Sequence, residues 1–485
     1  MEGDQDYISQ LPNSILSNIF SSLKTREVVR TSVLSTRWRY VWTTPINLVF
    51  DADNMLEEKD YYHSNLHHIS VEERYIITMK RCINFVYSVN HFLSQLEEHH
   101  RVEKLKVYFT FSDNMFGNVL DHWIRFAVAR EVEEIDLCLL EENYFGAPNN
   151  SELYVFSSDL LVHNGETEGF RSFLKCLRLA HCILAPSRST FSCFSRVTSL
   201  DFKKVDLVST ENIQNLLRNC HNLEWLSFSK CHNMIYLKIE HPFCLKLKCL
   251  NVNDCPQLKA IELKDINLET LEYKGCSIEF LFCSAPRLRT VFTYLSDCST
   301  RDSEVWPLLM LPIDLPQLET LFLECNYHYF MGGLMKEKRL PPFPNLRHLI
   351  ILKMAIIQQD LSWMATILKA YPTLQRLELH VRGYIYIDEN LMKAEWPPSC
   401  PHNHLKEVVI SGIQGYIHEI LIAVYLLNNA TALEKMIIDP RPRVYIGDGK
   451  WSLSEVCEGW TSTVRERLQK HLTQKVCLPA KLLIL

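Results

Sequence analysis

The sequence predicts an α/β solenoid headed by a small bundle of three short helices, and three observations carry that expectation. An apolar pattern of the form Leu-x-x-Leu-x-Leu recurs about a dozen times along the chain. Several of the segments between copies have apolar residues at helical spacing. The first forty-odd residues carry helical stripes of their own that do not join the repeat.

The N-terminal stripes come first. In "LPNSILSNIFSSL", Leu11, Ile15, Leu16, Ile19, Phe20 and Leu23 recur at separations of three or four, one face of a helix. Pro12 suits the first helical position, where a missing N–H costs nothing. Thr25 can cap a second helix bearing Val28, Val29 and Val33, and Ser35 a third bearing Trp38, Val41 and Trp42. Three helices this short cannot bury their own apolar surface. Either a partner covers the remaining face, or the unit caps the first repeat, as solenoid ends require. Spacing alone leaves both readings open. The stretch lacks the charged leader, unbroken apolar core and small-residue cleavage site of a targeting peptide.

The repeat follows. Leu174/Leu177/Leu179, Val197/Leu200/Phe202 and Leu223/Leu226/Phe228 show it, as do Leu318/Leu321/Leu323 and Leu374/Leu377/Leu379. The step is usually about 20–30 residues, the period of a leucine-rich repeat. Such repeats place Asn or Cys eight positions after the first leucine, facing inward. Those positions hold Cys182, Cys231, Cys255, Cys276 and Asn326, so these cysteines read as a buried structural ladder and not as nucleophiles or metal ligands. Between 247 and 293 the step shrinks to about ten residues, too few for a strand and a helix, which predicts strands on both sides of the solenoid. Ile278 and Leu281 are the inward residues expected of one of them. Elsewhere "NVLDHWIRFAVA", "ENIQNLLRNC" and "DLSWMATILKAY" read as returning helices, the last capped by Asp360. The whole is an irregular α/β horseshoe.

Composition narrows the function classes. With 51 Lys+Arg against 57 Asp+Glu, the net charge of −6 lacks the basic footprint of a nucleic-acid binder. The longest apolar run, "ILIAVYLL" from Ile420, is far shorter than the ~20 residues of a membrane span. Seventeen cysteines contain no CxxC pair, and "CPHNH" (Cys400, His402, His404) lacks a fourth ligand at a recognised spacing. No P-loop, GxSxG or HExxH occurs, so neither a cofactor nor catalysis by this chain alone is expected. A soluble protein of a reducing compartment, cytoplasm or nucleus, is the expectation by elimination.

Resemblance decides the open question at the N-terminus. "DYISQLPNSILSNIFSSLKTREVVRTSVLSTRWRYVW" resembles an F-box of the plant type, with Leu11-Pro12, Ile15-Leu16, Leu23, Val33-Leu34-Ser35, Arg37-Trp38 and Trp42 in the family's places. "WIRFAVAREVEEIDL" and "NCHNLEWLSFSKC" are similar to repeat signatures of the plant F-box/FBD/leucine-rich-repeat family. "LKEVVISGIQGYIHEILIAVYLLNNATALEKMIID" (405–439) resembles its FBD segment, and "RERLQKHLTQKVCLPAKLLIL" its closing helix and strand. The resemblance implies four parts: an F-box (1–50), a helical linker and cap (51–100), leucine-rich repeats (101–380), and an FBD segment with C-terminal cap (381–485).

It also implies a function. The family supplies substrate-recognition subunits of SCF-type (Skp–cullin–F-box) ubiquitin ligases, non-catalytic themselves. The F-box would bind a Skp-type adaptor, and through it a cullin, while the repeats hold an unidentified protein substrate; neither nucleic acid nor membrane is implied as a partner. Leu11, Pro12, Ile15, Leu16, Ile19 and Leu23 carry over as adaptor contacts, with Val33 and Leu34. Strand alternation places Asp201, Trp225, Glu272, Phe322, Arg376 and Glu378 on the concave sheet as substrate contacts. Among them Trp225, Phe322 and Arg376 are the expected anchors. A hormone-dependent receptor and a scaffold acting outside a ligase are the competing readings.

Overall fold

Each Leu-x-x-Leu-x-Leu copy sends its second and third apolar residues to one side of a short strand, because side chains alternate along extended backbone. In the computed structural model that side is the core: Leu105 and Val107, Ile135 and Leu137, Leu200 and Phe202, and Leu226 and Phe228 are all fully buried. The structure describes residues 10–12, 15, 16, 19, 46–56, 70–96, 101–109, 111, 114–139, 153–162, 172–276, 278–282, 285–295, 315–324, 340, 343–354, 362–381, 399–447, 449–456, 460–473 and 480–485. It forms two compact units, Met1–Met234 with Pro242–Lys246, and Ile235–His241 with Leu247–Leu485.

In the first unit the strands are β1 (Ile46–Asp51), β2 (Val102–Tyr108), β3 (Glu134–Cys138), β4 (Val155–Ser157), β5 (Cys176–Ala180), β6 (Ile183–Ala185), β7 (Ser199–Lys203) and β8 (Trp225–Ser229). β1, β2, β3, β5, β7 and β8 pair in that order, all parallel. Chain returns between parallel strands need a crossover, and helices α1 (Val71–Ser94), α2 (Gly117–Val128) and α3 (Thr210–Leu217) supply three of them. α1 starts at a capping box between Ser70 and Glu73. α2 buries Leu120, Trp123, Ile124 and Ala127, the stripe read from its sequence, and the Trp123 indole donates to Asn90 at 2.8 Å. α3 buries Ile213, Leu216 and Leu217.

The second unit contains β9 (Tyr236–Glu240), β10 (Cys249–Asn253), β11 (Ala260–Lys264), β12 (Thr270–Gly275), β13 (Glu279–Phe282), β14 (Thr290–Leu295), β15 (Thr320–Glu324), β16 (His348–Met354), β17 (Arg376–Val381), β18 (Glu407–Ser411), β19 (Lys435–Asp439), β20 (Arg443–Gly447), β21 (Lys450–Leu453) and β22 (Lys481–Ile484). Its helices are α4 (Ser362–Ala370), α5 (Ile417–Asn429) and α6 (Ser462–Thr473). The main parallel run is β10-β12-β14-β15-β16-β17-β18-β19-β22. Where the repeats tighten, β9, β11 and β13 form a second parallel sheet on the return side, as ten-residue spacing requires. One register differs from the sequence pattern: β13 buries Phe280 opposite Ile261 and leaves Leu281 40% exposed.

A left-handed turn follows several of the strands. His181, Lys204, Lys230, Asp254 and Asp265 have φ between 51 and 60°, and Gly412 has φ 75°. Each stands seven residues after the first apolar residue of its copy. The N–H groups of His181, Lys204, Asp254 and Gly412 reach a carbonyl of the next strand, as from Lys204 to Ser229 at 2.7 Å and from Gly412 to Asp439 at 2.9 Å. The left-handed residue turns the following side chain into the core. Cys182, Val205, Cys231, Cys255, Ile266 and Ile413 are all buried. β12 departs from this rule. Gly275 has φ 156°, and Cys276 after it is exposed, with its sulfur in a disulfide. Cys276 is therefore no rung of the buried ladder. Asn326 and the Asp360 cap lie outside the described residues.

Candidate functional site

The sequence-predicted site residues lie on two surfaces, the N-terminal turn and the sheet faces. In the turn, the N–H groups of Ile15 and Leu16 donate to the Pro12 carbonyl at 3.0 and 3.1 Å, opening a helix immediately after the proline. Leu16 is fully buried, with Leu11 and Ile19 packed against it. Pro12 is exposed and Ile15 is 44% exposed. Leu16 thus supports the turn from within; residues 15 and 16 sit ~100° apart around a helix, so one faces out as the other faces in. Leu23, Val33 and Leu34 lie outside the described residues.

The open face of the first unit is a grid of charge. Register aligns Lys104 with Glu134, and Lys106 with Asp136, Arg178 and Asp201 across neighbouring strands. Glu134 takes Lys104 at 3.2 Å, Lys106 at 3.5 Å and Arg178 at 2.5 Å. Burial pushes the Glu134 carboxyl up, but Arg178 and Lys104 outweigh it and hold it below the usual carboxylate range. Tyr108 donates to Asp136. Asp201 and Trp225 stand on this face, both half-buried.

In the second unit the corresponding face is different in kind. The middle row, set by strand register, runs Glu272, Phe292, Phe322, Ile350 and Glu378. An aromatic floor lies between two glutamates. The antiparallel β20–β21 hairpin folds over it. Tyr445 stacks on Phe292 at 5.3 Å between ring centroids and meets Phe322 at 4.9 Å, while Trp451 approaches Phe322 edge-on at 5.7 Å and His380 at 5.1 Å. The Tyr445 hydroxyl donates to Glu272 at 2.9 Å. Phe322, expected on an open face, is 1% exposed, and Glu272 and Glu378 are buried as well. Arg376, the third expected anchor, keeps 41% of its side chain exposed.

Glu378 gathers four basic side chains. His348 lies at 2.8 Å, Arg376 at 2.9 Å, His380 at 3.3 Å and Arg443 of the hairpin at 3.6 Å. Burial raises its carboxyl, but bonds from His348 and His380 and the Arg376 charge prevail and hold it well below the usual carboxylate range. His380, buried between Glu378, Ser411 and Trp451, is pushed down by burial despite the carboxylate. The Nε atoms of Arg376 and Arg443 and Nε2 of His380 are buried without a well-aligned hydrogen bond, so proximity here exceeds geometric fit.

The remaining candidates fall into structural roles. Cys182, Cys231 and Cys255 are buried, and burial alone pushes the Cys182 thiol up to about 12. Cys231 donates to the Phe202 carbonyl at 3.2 Å. His402 spends one ring nitrogen on the Tyr371 carbonyl at 3.0 Å and the other on the Leu405 N–H at 3.1 Å. The hairpin went unread in the sequence. Its signal is the alternation of Val444 and Ile446 before Gly447-Asp448-Gly449. Among the described residues no helix is long and apolar enough to cross a membrane.

Comparison with known proteins agrees with this anatomy. Residues 8–50 match the F-box domain family, and residues 96–466 match the family described as "At1g61320/AtMIF1, LRR domain". Similar proteins of Arabidopsis thaliana include the F-box/FBD/LRR-repeat protein At1g13570, 30% identical over 53% of this chain and 53% of its own length. The putative F-box/FBD/LRR-repeat protein At3g49040 is 26% identical over 90% of this chain and 89% of its own length, and the FBD-associated F-box protein At3g52670 has the same identity and coverage. A solenoid of parallel strands, its left-handed turns and inward cysteines, and an F-box ahead of it together place this chain in the plant F-box/FBD/leucine-rich-repeat family.

Proposed function

We propose that this chain is the substrate-recognition subunit of an SCF-type ubiquitin ligase, without catalytic activity of its own. The observation that carries the reading is the joining, in one chain, of an F-box at 8–50 to a repeat array at 96–466. The F-box turn presents Pro12 and Ile15, exposed apolar residues backed by a buried Leu16, to a Skp-type adaptor that links the chain to a cullin. The repeats, from 101 to 380, and the FBD segment from 381 onward hold a protein substrate. Asp201 and Trp225 are accessible contacts in the first unit, and Arg376 is one in the second. Glu272, Phe322 and Glu378 serve a substrate only when the hairpin leaves them.

The test is co-purification of a Skp-type adaptor with the full chain and with Pro12→Ala/Ile15→Asp. Replacing an apolar contact with a buried charge costs several kcal/mol, so recovery of adaptor should fall more than tenfold. Equal recovery from both proteins, with the repeat domain melting normally, would remove the adaptor assignment.

A further inference from the structure

We infer that the groove floored by Phe292 and Phe322 is a peptide-binding site, and that the chain's own β20–β21 hairpin occupies it until a basic, aromatic peptide of the partner displaces it. The inference rests on the reading of the repeats as the substrate-holding part.

The hairpin sits like a ligand. Its strands pair only with each other among the described residues, so no backbone ladder ties it to the sheet. An isolated two-stranded hairpin is marginally stable in water, so side-chain contacts with the floor contribute to its position. Tyr445 and Trp451 fill the aromatic floor, and Arg443 points at Glu378. Tyr, Trp and Arg are the side chains that dominate binding energy at interfaces. Its outer side chains, Ile446 and Leu453, are 63% and 54% exposed, so among the described residues no outer layer covers them.

The groove states what else it accepts. Glu272 takes a phenol hydroxyl at one end of the floor, and Glu378 faces guanidinium groups at the other. A peptide presenting Arg and a pair of aromatic residues on one face repeats the contacts the hairpin makes with Glu378, Phe322 and Phe292. The present occupant fits imperfectly. Arg443 stands 3.6 Å from Glu378, and its Nε is buried without a hydrogen bond. A peptide that places its guanidinium squarely on the carboxylate gains a paired bond that the hairpin lacks. A competitor therefore has room to win.

The experiment uses the full-length chain and a fluorescein-labelled synthetic peptide of residues 442–454, read by fluorescence anisotropy. Tyr445→Ala/Trp451→Ala empties the groove in cis, and the variant should bind the peptide at least tenfold more tightly than the parent. Adding Glu272→Gln and Glu378→Gln to that variant should abolish the gain. Equal affinity of parent and variant, or saturable binding to neither, overturns the inference. Hydrogen exchange on the unmodified parent decides the matter if the variant does not fold. Amides of 443–453 should exchange at least tenfold faster than those of β16 and β17, and equal protection overturns displacement. Adaptor co-purification, run in parallel, reports on the ligase reading separately, since peptide binding needs no adaptor.

Discussion

The hydroxyl of Tyr445 donates to the carboxylate of Glu272 at 2.9 Å, joining residues 173 apart in sequence. This bond holds the first strand of a late hairpin to an early strand of the same unit. A hydrogen bond to a charged partner contributes about 1.5–3 kcal/mol. Tyr445→Phe should therefore loosen the hairpin by that amount without disturbing the strands beneath. The check is limited trypsin digestion, with faster cleavage after Arg443 and Lys450 expected. Unchanged cleavage at both sites would mean that the bond contributes nothing to docking.

Acid should act through Glu378. Its carboxyl is held below the ordinary value of 4.5 in the folded chain, so it stabilises the fold fully above that value. That contribution is lost as pH falls through the lower, folded value. Glu378→Gln should cost stability at pH 7 and little at low pH, where the parent has lost the same interaction. Urea titrations of both proteins across that range measure this. A constant difference between them at every pH would contradict it.

The buried thiols should be inert. Cys182 has its thiol pushed up to about 12 by burial, and Cys220, beside Cys244, is raised well above the ordinary value by burial and that neighbour. In the native protein Cys182, Cys220, Cys231 and Cys255 should resist alkylation, while the half-buried Cys249 and Cys400 label first. Mass spectrometry of partially labelled protein gives the order. Early labelling of the first group would show that the repeat opens far more readily than its packing implies.

The left-handed turns make opposite predictions at two positions. A Cβ on Gly412 would stand 2.1 Å from the Val381 carbonyl oxygen, at φ 75°. Gly412→Ala should destabilise the second unit by more than ~2 kcal/mol, from backbone strain and the clash together. Lys204 already carries a side chain at φ 51°. Lys204→Gly relieves that strain, gaining up to about 1 kcal/mol less what glycine loses in chain entropy. Thermal melting should move down for the first and not down for the second.

The strands were legible because Leu200 and Phe202, or Leu321 and Leu323, sit two apart after a fixed lead residue, a period that only extended backbone satisfies. So were the stripes of α2 and α3. The middle row from Glu272 to Glu378 could also be placed on one face by alternation, but its accessibility could not. That depends on Tyr445 and Trp451, remote in sequence, and alternation within a strand carries no information about what covers it. The ladder was read from an offset, yet the turn before each rung decides its direction: Cys255 follows Asp254 at φ 51° and is buried, and Cys276 follows Gly275 at φ 156° and is exposed. The N-terminal turn shows the same limit. Ile15 and Leu16 are equally apolar, and only packing against Leu11 and Ile19 separates support from contact.

The cover of the aromatic floor also has a date of arrival. On the ribosome, β15 emerges roughly 120 residues before the hairpin that hides Phe322. At ~5–20 residues per second, the groove stands open for on the order of ten seconds in every newborn chain. During that interval the nascent repeats offer an uncovered aromatic and acidic trough to whatever is nearby. A message truncated before Arg443 would produce a chain in which that interval never ends.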